Sequence, residues 1–436
     1  NLLRIYFHQT EVLKMRFKFL ILLLSMALLT PVSSEGAFLL ISMEKEQSNH
    51  LKAYGVAFWS LENQVTVEWL LNYEGGSFLI PFTPEIQKEC ALRNVKAEII
   101  SDARRAAILN EISRPDINME VVKLEKAPKI AVYAPEGKQP WDDAVMMALE
   151  YAEIPYERLY DGEIIEGNLQ GYDWVHLHHE DFTGQYGKFY RTFNHMAWYQ
   201  KQVSDNELLA AKYGFAKVSQ MKLYVAKAIK AYVAAGGFLF SMCSGADSFD
   251  IALAAEGLDI CETMYDGDPA DPDYQKNLDY SKTLAFQNFT IFEDPFEYEY
   301  SDIDATQDRR IPQNQDYFTL FDFSAKWDPV PTMLCQNHTE IIKGFMGQTT
   351  SFIKDYIKPT IKILGENASA NEARYVHGEL GQGTWTFYGG HDPEDYRHLV
   401  GDEPTDLDLY PNSPGYRLIL NNVLFPAAKK KKLKTN

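Results

Sequence analysis

The chain has 436 residues, with 61 acidic and 42 basic side chains and a formal net charge of −19. Apolar residues make up 46% and charged residues 24%, an ordinary globular mixture with core enough for more than one domain and not a disordered chain. So acidic a chain is poorly matched to nucleic acid or to an anionic membrane surface as its main partner.

The first readable segment is MRFKFLILLLSMALLTPVSS, residues 15–34. Basic Arg16 and Lys18 precede an apolar stretch from Phe19 to Leu29, then Pro31 and the small residues Ser33 and Ser34. That is the layout of a secretory signal peptide cleaved near Ser34, and the apolar stretch is short for a membrane span. Met15 is the expected start, which makes residues 1–14 upstream translation. Removing residues 1–34 takes away Arg4, Lys14, Arg16 and Lys18 against one acid, Glu11, so the mature charge becomes −19 − 4 + 1 = −22. A periplasmic or secreted protein with no stable membrane anchor is expected. No cysteine lies near the cleavage point to carry a lipid. The oligomeric state is not legible.

Strand-like AFLLISM (37–43) opens a small α/β domain over 35–125, with helical stretches near 49–59 and within 83–113 and an apolar segment at 65–73. VVKLEKAP (121–128) reads as the junction. A larger domain spans 126–428. KIAVYAPEG (129–137) is a buried strand, and WDDAVMMALEYAEI a helix carrying Asp142 and Asp143 in its first turn. YERLYDGEII and YDWVHLHHE read as the next strands, and 204–235 as one long helix before the strand FLFSM. Strands alternating with helices predict an α/β fold with a doubly wound, mainly parallel sheet. Residues 260–345 read as an insertion with irregular and antiparallel structure. ARYVHGELGQGTWTFYGG is a hairpin turned at Gly381–Gly383, PGYRLILNNVLF an amphipathic helix, and 429–436 a solvated basic tail.

Four cysteines, Cys90, Cys243, Cys261 and Cys335, are too few for a disulfide scaffold and have no zinc-site spacing. The chemistry concentrates in three places. In GGFLFSMCSGADSFDIALAA (236–255) a buried strand is followed by Cys243, a turn at Ser244 and Gly245, and an Ala-rich helix. This is a strand–nucleophile–helix elbow whose helix N-terminus is expected to lower the thiol pKa. A small buried residue at a strand end is the bland alternative. In GTWTFYGGHDPEDYRH (383–398) His391 directly follows a strand, with Asp392 and Glu394 close by. A base beside a thiol needs an orienting carboxylate, and either acid could serve His391. In HLHHED (176–181) His178, His179 and Glu180 are candidates for holding a polar substrate. His176, His178 and Asp181 are the alternative set for a divalent metal, set against a plain polar rim. The Asp-rich loop 266–273 reads as a solvated acidic turn.

Together SMCSG around Cys243 and HDPE with His391 and Glu394 resemble the nucleophile elbow and late H-P-E of the class I glutamine amidotransferase-like superfamily. Ser241 replaces the first Gly of the elbow, and Asp392 is inserted between His and Pro. The end of the chain, GQGTWTFYGGHDPE with the closing helix, is similar to the trehalose-utilisation (ThuA-like) branch, whose members generally lack the elbow cysteine. The mature chain is also similar to exported Bacteroidota proteins that carry the name asparagine synthetase B. The residues depart from that chemistry: SGADS (244–248) is one residue short of the synthetase ATP loop, and no N-terminal cysteine nucleophile exists. The resemblance implies an exported hydrolase-like protein acting on a small-molecule amide or acyl substrate. Cys243 would be its nucleophile and His391 its base, with Gly245 and the 178–180 histidines and acid at the substrate, and no cofactor is needed. The alternatives are a ThuA-like carbohydrate-related or metal-binding protein and a non-catalytic envelope binding module.

Overall fold

A computed structural model describes residues 38–428 apart from positions 138 and 308; the expected signal segment 15–34 and basic tail 429–436 lie outside the described residues. Two β-sheets organise the chain, one built from strands up to Leu124 and the other from strands starting at Ile130. The first is antiparallel, in the order β4 (Glu98–Ile100), β1 (Phe38–Ile41), β3 (Ser77–Pro81), β2 (Val67–Leu71), β5 (Glu120–Leu124). Helix α1 (His50–Glu62) is capped by the Asn49 side chain, and α2 (Pro84–Leu92) by Thr83 with proline at its first position. Helix α3 (Asp102–Ser113) begins behind Ser101. Residues 121–124 do not form a loose junction. They are β5, paired across Val122 and Trp69, and Glu125 N–H donates to the Ala427 carbonyl at 2.9 Å.

The second sheet has a parallel half, β7 (Glu157–Leu159), β6 (Ile130–Tyr133), β8 (Trp174–Leu177), β9 (Phe238–Met242) and β15 (Gly383–Tyr388), in that spatial order. Beyond β15 it continues antiparallel through β14 (Glu372–Leu380), β13 (Lys362–Asn367), β10 (Tyr317–Leu320) and β11 (Ile341–Lys343), with β12 (Phe352–Ile353) also on β14. The molecule is therefore α/β with a mixed sheet, and the stretch 260–345 supplies the last two strands at its antiparallel end, β10 and the edge strand β11. The β14–β15 hairpin turns at Gly381-Gln382, where Gly381 takes a φ of 61° that a side chain would strain.

The parallel strands are apolar on both faces because both faces are covered. Ile130, Val132, Trp174, Phe240 and Met242 pack with helix α4 (Ala144–Ala152) and the closing helix (Pro414–Leu424). Ala131, Val175, Leu177 and Leu239 pack with the helices Val218–Ala234 and Ser244–Ala254. The long helical stretch 204–235 is two helices, Ala197–Lys212 and Val218–Ala234, broken where Gly214 turns at φ 80°. The first face also receives α1, so Leu39, Tyr54 and Trp69 of the first unit share one core with the second. Arg417, fully buried, bolts the join: its guanidinium donates to Tyr54 Oη (3.1 Å) and to the carbonyls of Gly75 (2.5 Å) and Met43 (3.4 Å). Among the described residues, no helix is long and apolar enough to cross a membrane.

Candidate functional site

Register places the site. Tyr133 lies opposite Leu177, Leu177 opposite Ser241, and Met242 opposite Tyr388, so four parallel strands end level. The next residues on three of them are His178, Cys243 and the Gly389-Gly390-His391 run. The carboxyl edge of a parallel sheet is where α/β proteins place ligands.

Cys243 has φ 51° and ψ −144° between β9 and the helix Ser244–Ala254. For a non-glycine residue that conformation costs on the order of 1–3 kcal/mol and persists only where the surroundings impose it. They do so here: Gly245 N–H donates to the His178 carbonyl at 2.7 Å, and a Cβ on Gly245 would stand 2.6 Å from that oxygen. The turn therefore works only with glycine two residues after the cysteine. The sulfur, a ring nitrogen of His178 and a ring nitrogen of His179 all lie within 4.8 Å of one another. Cys243, His179 and His391 line one cavity of about 590 Å³, walled by Trp141, Phe189 and Tyr298.

The thiol is not a resting thiolate. The Ser244 amide favours the charged sulfur, but burial, with Asp247 and Asp304 nearby, pushes the thiol up to about 12. Those two acids are themselves buried and joined through Thr349, whose hydroxyl donates to Asp247 (2.9 Å) and whose N–H donates to Asp304 (2.7 Å). Burial holds Asp304 up at about 7 and Asp247 well above the usual carboxylate range. The helix N-terminus thus loses to desolvation, contrary to the lowered pKa that the elbow pattern predicts.

The imidazoles form a contiguous stack. His178 lies on His179 (centroids 3.9 Å), His179 near His391 (4.4 Å), and His391 on His398 (4.3 Å). His179 Nε2–H donates to the Asp142 carbonyl at 2.6 Å, which leaves Nδ1 as the accepting nitrogen. Burial and the neighbouring rings hold His179 and His391 well below 6.5, so both are neutral. His398 differs: it sits 2.9 Å from Asp142 and 3.1 Å from Asp395, which raise it to about 9 against the opposing effect of burial. A charged ring thus backs a neutral one.

The expected orienting carboxylates do not reach His391, whose two ring nitrogens are buried without a hydrogen-bond partner. Asp392 accepts from Thr405 (2.7 Å) and from the Glu394 amide (2.8 Å), and Glu394 faces Lys343 at 3.8 Å. Asp181 also turns away from its histidines, accepting from the Thr183 hydroxyl and amide and from Gly187 N–H. Its place beside His176 and His178 is taken by Asp143, at 3.3 and 3.2 Å. Glu180 lies in a second cavity of about 580 Å³ shared with His178, His179 and Asp143. Burial raises Glu180 to about 7, and Tyr160 Oη donates to it at 3.3 Å; Tyr160 is in turn 3.1 Å from Lys222, which pairs with Asp161 at 2.8 Å. The acidic loop 266–273 wraps a lysine: Lys217 pairs with Asp259, Asp266 and Asp268.

Asp142, Asp143 and His398 were not among the sequence candidates. The two aspartates lie at the start of helix α4, nine and ten residues after β6 ends, with Asp143 as its cap, and no spacing in the sequence ties them to the histidines. His398 offers no signal either.

No family model matches the chain, and no curated protein does. Among solved structures, "Cytoplasmic Protein STM3548 from Salmonella typhimurium" is 10% identical at a TM-score of 0.33, and "Cytoplasmic Protein STM1381 from Salmonella typhimurium LT2" is 13% identical at 0.34. Each match covers 69% of this chain and 100% of the other. A GH42 beta-galactosidase, Gan42B, is 11% identical at 0.23, over 61% of this chain and 28% of its own.

Proposed function

We propose that this chain is an exported cysteine hydrolase of doubly wound, amidotransferase-like architecture, acting on an amide or related acyl group of a small molecule. The observation that carries the reading is the strained backbone of Cys243, held at positive φ at a strand–helix turn with imidazoles beside its sulfur and a cavity in front of it. Strain of this kind at a buried strand end needs a reason, and presenting a nucleophile is one.

The mechanism begins from a neutral thiol and a neutral imidazole. His179 Nδ1 accepts the thiol proton as the sulfur attacks the acyl carbon, and the Asp142 carbonyl holds the ring in the tautomer that can do so. The imidazolium then gives that proton to the leaving group, and water hydrolyses the acyl-enzyme with the same nitrogen as base. Activation therefore happens during attack, because burial forbids a standing thiolate. His391, without an orienting partner, serves the substrate better than it serves the sulfur. A carbohydrate-related ligand is the second reading, favoured by the aromatic walls Trp141, Phe189 and Tyr298.

Purified protein assayed against a panel of L-glutamine, other primary amides and p-nitrophenyl esters should hydrolyse at least one. Cys243→Ala should abolish that activity, and His179→Gln should lower kcat by about a hundredfold or more. Full activity in Cys243→Ala would dismiss the reading.

A further inference from the structure

On the far side of the histidine stack, Asp143, His176 and His178 converge in a way that hydrogen bonding does not explain. His176 Nδ1–H donates to the Phe240 carbonyl at 3.1 Å, which fixes the tautomer and leaves a lone pair on Nε2. That lone pair stands 3.3 Å from Asp143 Oδ1, and His178 Nδ1 stands 3.2 Å from the same oxygen. Neither contact has hydrogen-bond geometry, and both nitrogens, together with His178 Nε2, are buried without a partner. His176 and His178 are 0% and 1% exposed.

The oxygen is already supplied. Asp143 caps helix α4, its Oδ1 accepting from the Val145 amide (2.8 Å) and the Met146 amide (2.9 Å). His176 Nε2 and Asp143 Oδ1 therefore face one another with acceptor against acceptor, with a buried His178 nitrogen at the same oxygen, an arrangement that a cation among the three would resolve. Donor atoms about 3.2–3.5 Å apart are also what a tetrahedral ion with bonds of about 2.0–2.2 Å demands.

We propose that Asp143, His176 and His178 bind one divalent transition-metal ion of the zinc class. Two nitrogens and one carboxylate suit such an ion better than calcium or magnesium, which prefer oxygen ligands. Asp143 and His178 also line the second cavity, so the fourth coordination position opens toward Glu180 and its surroundings. That is the arrangement of a site that admits water or ligand, not of a closed structural one. The set replaces Asp181 with the residue that caps α4, and it shares His178 with the surroundings of the Cys243 sulfur.

The test is a titration of the purified full chain, stripped with a chelator, with Co²⁺ alone. One Co²⁺ per chain with the visible absorption of a tetrahedral site, displaced by Zn²⁺, is expected. Asp143→Asn keeps the helix cap and should weaken binding more than about tenfold. His178→Gln should do the same, with both variants showing unchanged circular dichroism before metal is added. Cys243→Ala should bind as the unmodified chain does. No stoichiometric Co²⁺, or an Asp143→Asn variant that binds normally, would overturn the proposal. So would a thiolate-to-cobalt charge-transfer band that vanishes in Cys243→Ala, since it would put the ion on Cys243, His178 and His179. Loss of acylation at Cys243 with Co²⁺ binding intact would instead count against the hydrolase reading alone.

Discussion

At the scale of single residues, Cys243 is where stability and function pull apart. Its positive φ carries a cost that only glycine escapes, and the chain keeps a cysteine there. Cys243→Gly should therefore be more stable than Cys243→Ala by about 1 kcal/mol, although it removes one more carbon from a buried position. Both should lack hydrolase activity. Urea unfolding of the two variants checks this, and an alanine variant at least as stable as the glycine one would show that the backbone is not strained.

At the scale of elements, the elbow was legible because it is local: an apolar run, one cysteine, a small pair and an Ala-rich helix follow each other without a break. The hairpin and the closing helix were legible for the same reason. What the sequence left hidden depends on register between distant strands. Asp143 meets His176 and His178 only because β6 and β8 are neighbours that end level, and no spacing rule links positions 143, 176 and 178. The same holds for Asp392 and Glu394, adjacent to His391 in sequence but spent on Thr405, a backbone amide and Lys343. The thiol pKa departs from the elbow expectation because a helix N-terminus can be read from sequence and desolvation cannot. The β8 end and the elbow are one unit through the Gly245 amide and the His178 carbonyl. Gly245→Ala should force them apart, lowering stability by about 1–3 kcal/mol and activity by more than tenfold. A fully active Gly245→Ala variant would mean that this contact does not position the site.

At the scale of the whole molecule, buried neutral histidines contribute a destabilising response to acid. Burial holds His50 at about 3 and His377 at about 3, and His338 at about 4, against an ordinary 6.5. As pH falls below 6.5 the unfolded chain takes up these protons first, so stability is full above 6.5 and is lost toward 3–4. Each ring contributes a slope of up to about 1.4 kcal/mol per pH unit. The buried acids Asp304 and Glu180, held up at about 7, act in the opposite sense over this range, so the histidine contribution is read as a difference: the urea midpoint of His377→Gln should fall less, relative to the unmodified chain, between about pH 7 and pH 5. An identical pH dependence of the two midpoints would contradict the burial of His377.

The central claim, that Cys243 is a nucleophile activated during attack, is tested most directly by intact-mass analysis after brief exposure to p-nitrophenyl acetate. The expected result is one acetyl group per chain, mapped by peptide analysis to Cys243 and absent from Cys243→Ala. Acetylation in the unmodified chain that bypasses Cys243, or persists unchanged in the alanine variant, would contradict it.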